Sequence, residues 1–133
     1  PAIIRKCVEA RERVDASITA WGSGEPAREF LYVKDAANGI LTATERYDES
    51  APVNLGSVME ISINDLVETI ADVTGFQGEI KWDTSKPDGQ PRRKLDTRRA
   101  REEFRWEATT EFREGLKQTV AWYESHRHEI LND

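Results

Sequence analysis

The stretch that organises this chain reads Trp21-Gly-Ser-Gly-Glu-Pro-Ala-Arg-Glu-Phe-Leu-Tyr-Val-Lys-Asp35. Alternating apolar residues before and within it predict two short strands, joined as a hairpin by a turn that two glycines and a proline supply. The turn presents the indole of Trp21 together with the guanidinium of Arg28. This pair suits a ligand with a stackable ring and a phosphate, because arginine binds phosphate oxygens bidentately. From residue type alone, a core tryptophan and a solvated surface arginine remain the competing interpretation.

Length and composition limit the class of protein. The 133 residues are 38% hydrophobic and include four tryptophans, which predicts one folded domain with a single core. The apolar runs are too short for a membrane-spanning helix. One cysteine, Cys7, excludes an internal disulfide and suits a reducing cytoplasm. Cys7 shares a helical face with Ile3, Ile4 and Val8, so we expect a buried structural thiol.

The net charge of −6 conceals a basic segment. Between Thr84 and Arg101 there are seven basic residues and two acidic ones, which gives +5 and leaves −11 on the rest of the chain. A local positive field on an acidic protein favours a small anionic ligand over nucleic acid, whose long phosphate track would meet the acidic remainder. We therefore predict an anionic small-molecule partner, and neither nucleic acid nor a membrane.

Hydrophobic periodicity and cap signals predict five helices. They cover residues 1–14, 35–47, 62–75, 97–104 and 110–128, with Asp35, Ser62 and Thr97 as N-caps, Gly75 as a stop and Trp106 packed near the end of the fourth helix. Besides the hairpin, short strands are predicted at Val53–Leu55 and Glu79–Trp82, and Asp83–Leu95 is predicted to be a constrained loop. His126 and His128 are two residues apart and cannot chelate one metal from a helix face, so no metal site is predicted.

Four segments carry a family resemblance when taken in their order and spacing. They are 21–37, Val53-Asn-Leu-Gly-Ser57, 61–75, and Ser85-Lys-Pro-Asp-Gly-Gln-Pro-Arg-Arg-Lys-Leu-Asp96. Together they resemble the substrate-binding part of the extended short-chain dehydrogenase/reductase family, and within it the GDP-L-fucose synthase branch. The Lys-Pro-Asp-Gly-x-Pro run is the most specific of them. Val58 departs from the family, because a second glycine commonly follows Gly-Ser there, and this puts a close backbone approach to ligand in doubt.

The resemblance implies an α/β fold, specifically a helix-rich substrate-binding segment with a few short strands and without the Rossmann core. Residues 1–133 would form one carboxy-terminal domain, and an amino-terminal NADP-binding domain would lie outside this chain. The parent enzyme would be a cytoplasmic NADP-dependent 3,5-epimerase and 4-reductase acting on GDP-4-keto-6-deoxymannose. Its Val53–Leu55 strand would join the absent parallel sheet. Cut off from that sheet, the chain would expose an unpaired strand and apolar stripes on the helices after Asp35 and Ser62, and would form a homo-oligomer.

The same resemblance assigns the substrate contacts. The family positions that contact the nucleotide diphosphate sugar are matched by Lys6, Trp21, Arg28 and Arg93, and the same loop contains Lys86 and Asp88 as further candidates. A diphosphate accepts several charge-assisted hydrogen bonds, and base stacking on an aromatic ring contributes ~1–3 kcal/mol. By residue type alone, Lys6 would be part of a solvated helix face and Asp88 a turn former between Pro87 and Gly89.

Catalytic and cofactor-binding motifs of that family are not found in this sequence. It contains no Gly-x-Gly-x-x-Gly, and its tyrosines are followed four residues later by Ala36, Ala51 and Arg127 instead of lysine. We therefore expect the chain by itself to be inactive and to bind no NADP(H). Two alternatives stay open, namely a UDP- or dTDP-sugar epimerase or dehydratase, and an interaction module without a ligand.

Overall fold

The computed structural model describes residues 1–130, which form an α/β arrangement of five helices and five short strands. The helices are α1 (Ala2–Arg13), α2 (Val33–Arg46), α3 (Ile63–Thr74), α4 (Arg98–Phe104) and α5 (Phe112–Ile130). The strands are β1 (Ser17–Trp21), β2 (Ala27–Arg28), β3 (Ile61–Ser62), β4 (Glu79–Asp83) and β5 (Arg92–Arg93). Each predicted helix is confirmed within two residues or so at its ends, and the predicted helix-rich α/β class is confirmed.

The five strands form one two-stranded and one three-stranded sheet. β1 pairs with β4 in parallel, with Ser17 opposite Glu79 and Trp21 opposite Asp83. The second sheet has the order β3-β2-β5, in which β2 is antiparallel to β3 and parallel to β5. The carboxyl ends of β1 and β4 therefore lie side by side.

The predicted hairpin between the two halves of the 21–35 stretch is wrong. β1 pairs with β4, and β2 covers only Ala27–Arg28, so that Phe30 and Tyr32 lie outside any strand. Gly22 and Gly24 both have positive φ angles, +85° and +81°, and turn the chain away from β1. Local alternation could not reveal this, because the partner that covers β1 lies some sixty residues further along the chain.

The predicted strand at Val53–Leu55 is also wrong. These residues have no ladder partner within residues 1–130 and run as an irregular segment. Val53 and Leu55 instead pack against the cluster formed by Ala100, Phe104 and Trp106. β-branched and leucine side chains predict burial on a strand, but a strand also needs a neighbouring backbone to bond with.

The predicted helix caps have mixed outcomes. Ser62 is confirmed, since its Oγ accepts from the Asp65 amide at 3.0 Å, and Gly75 ends α3 with a φ of +73°. Asp35 is not an N-cap, because α2 already begins at Val33 and the Asp35 carboxylate is buried against the start of α5. Thr97 occupies the N-cap position of α4 but makes no side-chain cap bond, and Asp96 accepts from the Arg98 amide instead.

The larger hydrophobic cluster, called here the closed core, lies between α1, β1, α3 and α5. Its buried members are Ile4, Cys7, Val8, Ala10, Ile18, Ile70, Ala71, Phe76, Leu116 and Val120. Cys7 is fully buried as predicted, and burial raises the pKa of its thiol. The apolar stripe of α3 is covered by α1 and α5, so the expectation that this stripe stays open is wrong.

The smaller cluster, called here the open cluster, joins α2 to α4. Phe104 and Trp106 are buried at its centre, as predicted for Trp106, and the Trp106 indole donates to Asn38 Oδ1 at 3.1 Å. Gly39 allows α2 to approach Trp106 closely, because a Cβ there would lie 2.8 Å from the indole ring. The other side of α2 is uncovered within residues 1–130, where Val33, Ile40 and Leu41 are 59–70% exposed.

No helix in the described part of the chain combines the length and the apolar character that crossing a membrane requires. Residues 1–130 also contain no group of three His, Cys, Asp or Glu side chains arranged to hold a metal ion.

Candidate ligand-binding site at the carboxyl ends of β1 and β4

The candidate site lies where the two parallel strands end. Residues 21–24, called here the Trp21 turn, begin at the last residue of β1, and residues 84–90, called here the 84–90 loop, follow β4. The Gly22 amide donates to the Asp83 carbonyl at 3.0 Å and ties the two strand ends together. In open α/β sheets, ligands bind beyond the carboxyl ends of parallel strands.

Trp21 is exposed at this edge. Its side chain is 67% exposed, so the interpretation of Trp21 as a core residue is wrong. Two ammonium groups lie over the indole, Lys6 Nζ at 5.9 Å from the ring centroid and Lys86 Nζ at 5.5 Å. Lys6 is fixed there by donation to the Thr19 carbonyl at 2.7 Å. An exposed ring beside two cations can accept a planar, negatively charged ligand.

Arg28 and Arg93 face each other across the second sheet. They are register partners in the parallel β2–β5 pair, so their side chains leave the same face of that ladder. Arg28 Nη1 donates only to the Ala27 carbonyl, at 2.7 Å, and neither arginine has a carboxylate partner among the described residues. Arg92, next to Arg93, is by contrast bound twice to Glu60, at 2.6 and 2.8 Å.

This difference identifies which positive charges an anion could use. Much of the basic segment is already neutralised, since Arg92 pairs with Glu60 and Arg98 with Asp96. The Arg98 guanidinium lowers the pKa of Asp96 to about 2. Arg28 and Arg93 have no carboxylate partner in the described part of the chain, and neither do Lys86, Lys94 and Arg99, but Arg28 and Arg93 lie side by side as register partners. Two adjacent guanidinium groups repel each other, and an anion between them would relieve that repulsion.

Asp88 connects the 84–90 loop to the Trp21 turn. Its carboxylate accepts from the Ser23 amide at 2.6 Å and from the Ser23 hydroxyl at 2.8 Å. These hydrogen bonds, first the backbone one and then the hydroxyl one, lower the pKa of Asp88. The carboxylate also lies directly against Gly22, where a Cβ would come within 2.3 Å of Asp88 Oδ1.

The structure brings the six predicted residues to one region. The ammonium groups of Lys6 and Lys86 both lie over the Trp21 ring, and Asp88 holds the turn beside Trp21. Arg28 and Arg93 lie on the adjoining ladder, where Gly89 of the 84–90 loop approaches Arg28, with a Cβ position 3.8 Å from Nη2.

Sequence reasoning missed two residues that shape this region. Ser23 fixes Asp88, and the Glu29 carboxylate accepts from the Ser57 amide at 2.7 Å and the Leu95 amide at 2.9 Å. Glu29 thereby binds the segment beside Arg28 to the chain just after Arg93. Both partners are distant in sequence, so residue type and local spacing carried no signal for either contact.

A separate open groove of about 470 Å³ lies away from the predicted residues. It is lined by Pro52, Asn54, Asp96, Arg98, Arg99 and Glu102. Arg98 is bound to Asp96 and Arg99 donates to the Pro52 carbonyl at 3.0 Å, while the groove also carries the carboxylates of Asp96 and Glu102 and has no aromatic ring in its lining. We therefore place the candidate site at Trp21 and not in this groove.

Residues 1–130 contain no pyrophosphate cradle of the kind found in dinucleotide-binding folds. Such a cradle needs a glycine-rich turn between a strand and a helix N-terminus. Gly22 and Gly24 are followed by β2 instead of a helix. The strand that does lead directly into a helix is β3, and there Ser62 Oγ already caps α3 without an intervening glycine.

The sequence of this chain is similar to those of known proteins. The profile of the NAD dependent epimerase/dehydratase family matches residues 1–56. The chain is 41% identical over 123 residues to "Probable GDP-L-fucose synthase 1" of Oryza sativa, covering 92% of this chain and 37% of that protein. It is 36% identical over 116 residues to "UDP-glucuronic acid decarboxylase 1" of Xenopus tropicalis, covering 87% of this chain and 27% of that protein.

A solved structure of the same kind of protein is similar to this chain in fold. The fold superposes with a TM-score of 0.86 and 32% identity on the GDP-L-fucose synthetase of Naegleria fowleri bound to NADP, over 96% of this chain and 40% of that one. The chain thus spans between 27% and 40% of the length of these three proteins.

Proposed function

The chain belongs to the NAD dependent epimerase/dehydratase family, and on that premise we propose that it is the nucleotide-sugar-binding segment of a GDP-L-fucose synthase. In this proposal residues 1–133 form one carboxy-terminal domain, and the NADP-binding domain that supplies the catalytic groups lies outside them. The parent enzyme would convert GDP-4-keto-6-deoxymannose to GDP-L-fucose by 3,5-epimerisation and reduction at C4.

One observation carries the binding proposal. Arg28 and Arg93 are register partners without carboxylate partners in the described chain, and the 84–90 loop that approaches Arg28 at Gly89 also places Lys86 over the exposed indole of Trp21. A nucleoside diphosphate offers a flat base and two charged phosphates. The base would stack on Trp21, and the phosphates would accept hydrogen bonds from Arg28, Arg93, Lys6 and Lys86. Asp88 belongs to the site through the loop that carries Lys86.

Titration with GDP tests this proposal. The Trp21 indole signal in a ¹H–¹⁵N NMR spectrum, assigned with Trp21→Phe, should move as GDP is added, because the ring is the stacking surface. Arg28→Ala should weaken GDP binding about ten- to a hundredfold, since a hydrogen bond to a charged group contributes about 1.5–3 kcal/mol. Arg92→Ala is the matched control, because its guanidinium is already bound to Glu60. Equal affinity of the parent and Arg28→Ala would show that Arg28 does not bind the ligand.

A second candidate function keeps the fold and changes the nucleotide. It is favoured by the 36% identity to a protein named UDP-glucuronic acid decarboxylase 1. GDP, UDP and dTDP titrated separately distinguish the two, because GDP should bind at least tenfold more tightly if the first proposal holds. No response to any of the three nucleotides would favour an interaction module without a ligand.

We also propose that NADP(H) binds the parent enzyme outside this segment. The described residues lack a glycine turn at a helix N-terminus, which supports an NADP(H) site outside this segment. NADPH added to the chain should leave its NMR spectrum unchanged, and NADPH oxidation dependent on a keto-sugar nucleotide would contradict the proposal.

Two further properties belong to the proposal. We infer a cytoplasmic location, supported by the single reduced, buried Cys7. We infer self-association of the isolated chain as a homo-oligomer through the uncovered side of α2, where Val33, Ile40 and Leu41 are exposed.

A further inference from the structure

The 84–90 loop is fully exposed and is anchored at both ends. At its start the Lys86 amide donates to the Asp83 carbonyl at 3.2 Å, and just beyond its end the Pro91 carbonyl accepts from the Ala27 amide at 2.9 Å. Between these anchors, the hydrogen bonds that join the loop to another segment of residues 1–130 are the two that Asp88 accepts from Ser23. An exposed loop without buried apolar contacts depends on such bonds for its position.

The Trp21 turn is shaped to receive Asp88. Gly22 has a φ of +85° and leaves room that any Cβ would fill, at 2.3 Å from Asp88 Oδ1. The Ser23 hydroxyl is itself oriented, because it donates to Asp88 Oδ2 and accepts from the Glu25 amide at 3.1 Å. The Ser23 side of the contact is therefore already set in place before Asp88 is considered.

The position of Asp88 determines where two candidate ligand groups lie. Lys86, two residues earlier, places its Nζ 5.5 Å from the Trp21 ring and has no other side-chain partner in the described chain. Gly89, one residue later, lies beside the Arg28 guanidinium. Lys6, on the rigid α1, needs no such support because the Thr19 carbonyl holds its ammonium group.

We propose that Ser23 and Asp88 are positioning residues, which hold the 84–90 loop so that Lys86 and Arg28 are set to receive the phosphates of a nucleoside diphosphate stacked on Trp21. The nature of the ligand rests on the proposed function. Asp88 acts through Ser23 and does not bind the phosphates, because each of its oxygens accepts from Ser23 and its negative charge repels phosphate.

A double-mutant cycle with GDP as the probe tests this role. Asp88→Ala should weaken GDP binding about ten- to a hundredfold, and Ser23→Ala about three- to tenfold, because the amide bond to Asp88 survives. Ser23→Thr retains the hydroxyl and should bind GDP within about twofold of the parent. The double variant Ser23→Ala/Asp88→Ala should be no weaker than Asp88→Ala alone, because both changes remove the same connection.

Two results would overturn the proposal. If Ser23→Ala binds GDP as the parent does while Asp88→Ala is weakened, Asp88 contacts the ligand itself. If the two single effects add in the double variant, the residues act independently. Glu25→Ala is the control for charge, since its exposed side chain lies beside the turn without a side-chain partner in the described residues, and it should bind GDP no more weakly than the parent.

Failure of the proposed function can be told apart from failure of this inference. If the parent chain binds no GDP, the proposed function is wrong, and the loop position is then judged without ligand. Exchange of the Ser23 amide hydrogen should be at least about tenfold faster in Asp88→Ala than in the parent, and the Trp21 indole resonance should shift as Lys86 leaves the ring. Unchanged exchange and an unchanged resonance would overturn the inference by themselves.

Discussion

The closed core and the open cluster are built from similar amphipathic helices and differ in what covers them. In the closed core, the apolar stripe of α3 meets α1 on one side and α5 on the other, so that Val67 and Ile70 are buried. In the open cluster, α2 turns Gly39 toward Trp106 and leaves Ile40 and Leu41 59% and 64% exposed. Helical periodicity thus identifies an apolar face, but only the neighbouring elements decide whether that face is buried.

A few contacts join the two regions. The Asp35 carboxylate at the start of α2 accepts from the Thr110 amide at 3.0 Å just before α5, and Gly115 of α5 packs against the Tyr32 ring. The Tyr32 hydroxyl donates to Gln118 at 2.8 Å. If these contacts couple the two regions, the regions unfold together.

The largest effect is expected from Phe104→Ala in the open cluster. Phe104 is 1% exposed, and removing a buried phenyl ring should lower the free energy of unfolding by about 3–5 kcal/mol. If the two regions form one cooperative unit, hydrogen exchange in α3 should accelerate together with exchange in α4. Faster exchange in α4 with unchanged exchange in α3 would show that the regions unfold separately.

Asp35→Ala should have the next largest effect, because it breaks the connection itself. Removing the buried carboxylate leaves the Thr110 amide without its partner, at a cost of about 1.5–3 kcal/mol in the free energy of unfolding. Asp48→Ala, an exposed aspartate just after α2, is the matched control and should change stability by less than about 0.5 kcal/mol. Chemical denaturation measures both, and equal values for the two variants would contradict a joining role for Asp35.

Leu41→Lys should separate association from stability. Leu41 is 64% exposed, so the substitution should leave the unfolding free energy within about 0.5 kcal/mol of the parent. If copies associate through α2, it should weaken self-association at least about tenfold, because a charge replaces apolar surface in the interface. Val58→Lys, at a valine that is 74% exposed and lies outside α2, is the control. A monomeric parent in concentration-dependent light scattering would refute the self-association.

The smallest expected effect is a loss of stability at low pH. It arises from Asp96, which lies just before α4. Hydrogen bonding to Arg98 lowers the pKa of Asp96 from 3.8 to about 2, so the ionised carboxylate is favoured in the folded state. The contribution is therefore fully present above pH 3.8 and is lost as the pH falls through about 2. In that window the Tm of the parent should decline more steeply than that of Asp96→Asn. Asp48→Asn should follow the parent, and parallel curves for all three would contradict the prediction.

Much of the local structure could be predicted from particular residues. The five helices follow from apolar periodicity, Ser62 and Gly75 mark the two ends of α3, and Cys7 is buried as its neighbours indicate. The candidate site is also partly readable, since Trp21, Arg28 and the basic segment stand out by residue type. These features depend on neighbours within a few residues, which the sequence displays directly.

The sequence by itself determined the helices, their apolar faces and the residue types able to bind an anion. Only the tertiary structure decided that β1 pairs with β4, that Arg28 and Arg93 lack the carboxylate partners that Arg92 and Arg98 have, and that Ser23 binds Asp88. The physical reason is the separation along the chain of the residues that interact. Helix bonds link residues four apart, whereas strand pairing, ion pairing and burial connect segments whose distance along the chain places no limit on their choice of partner.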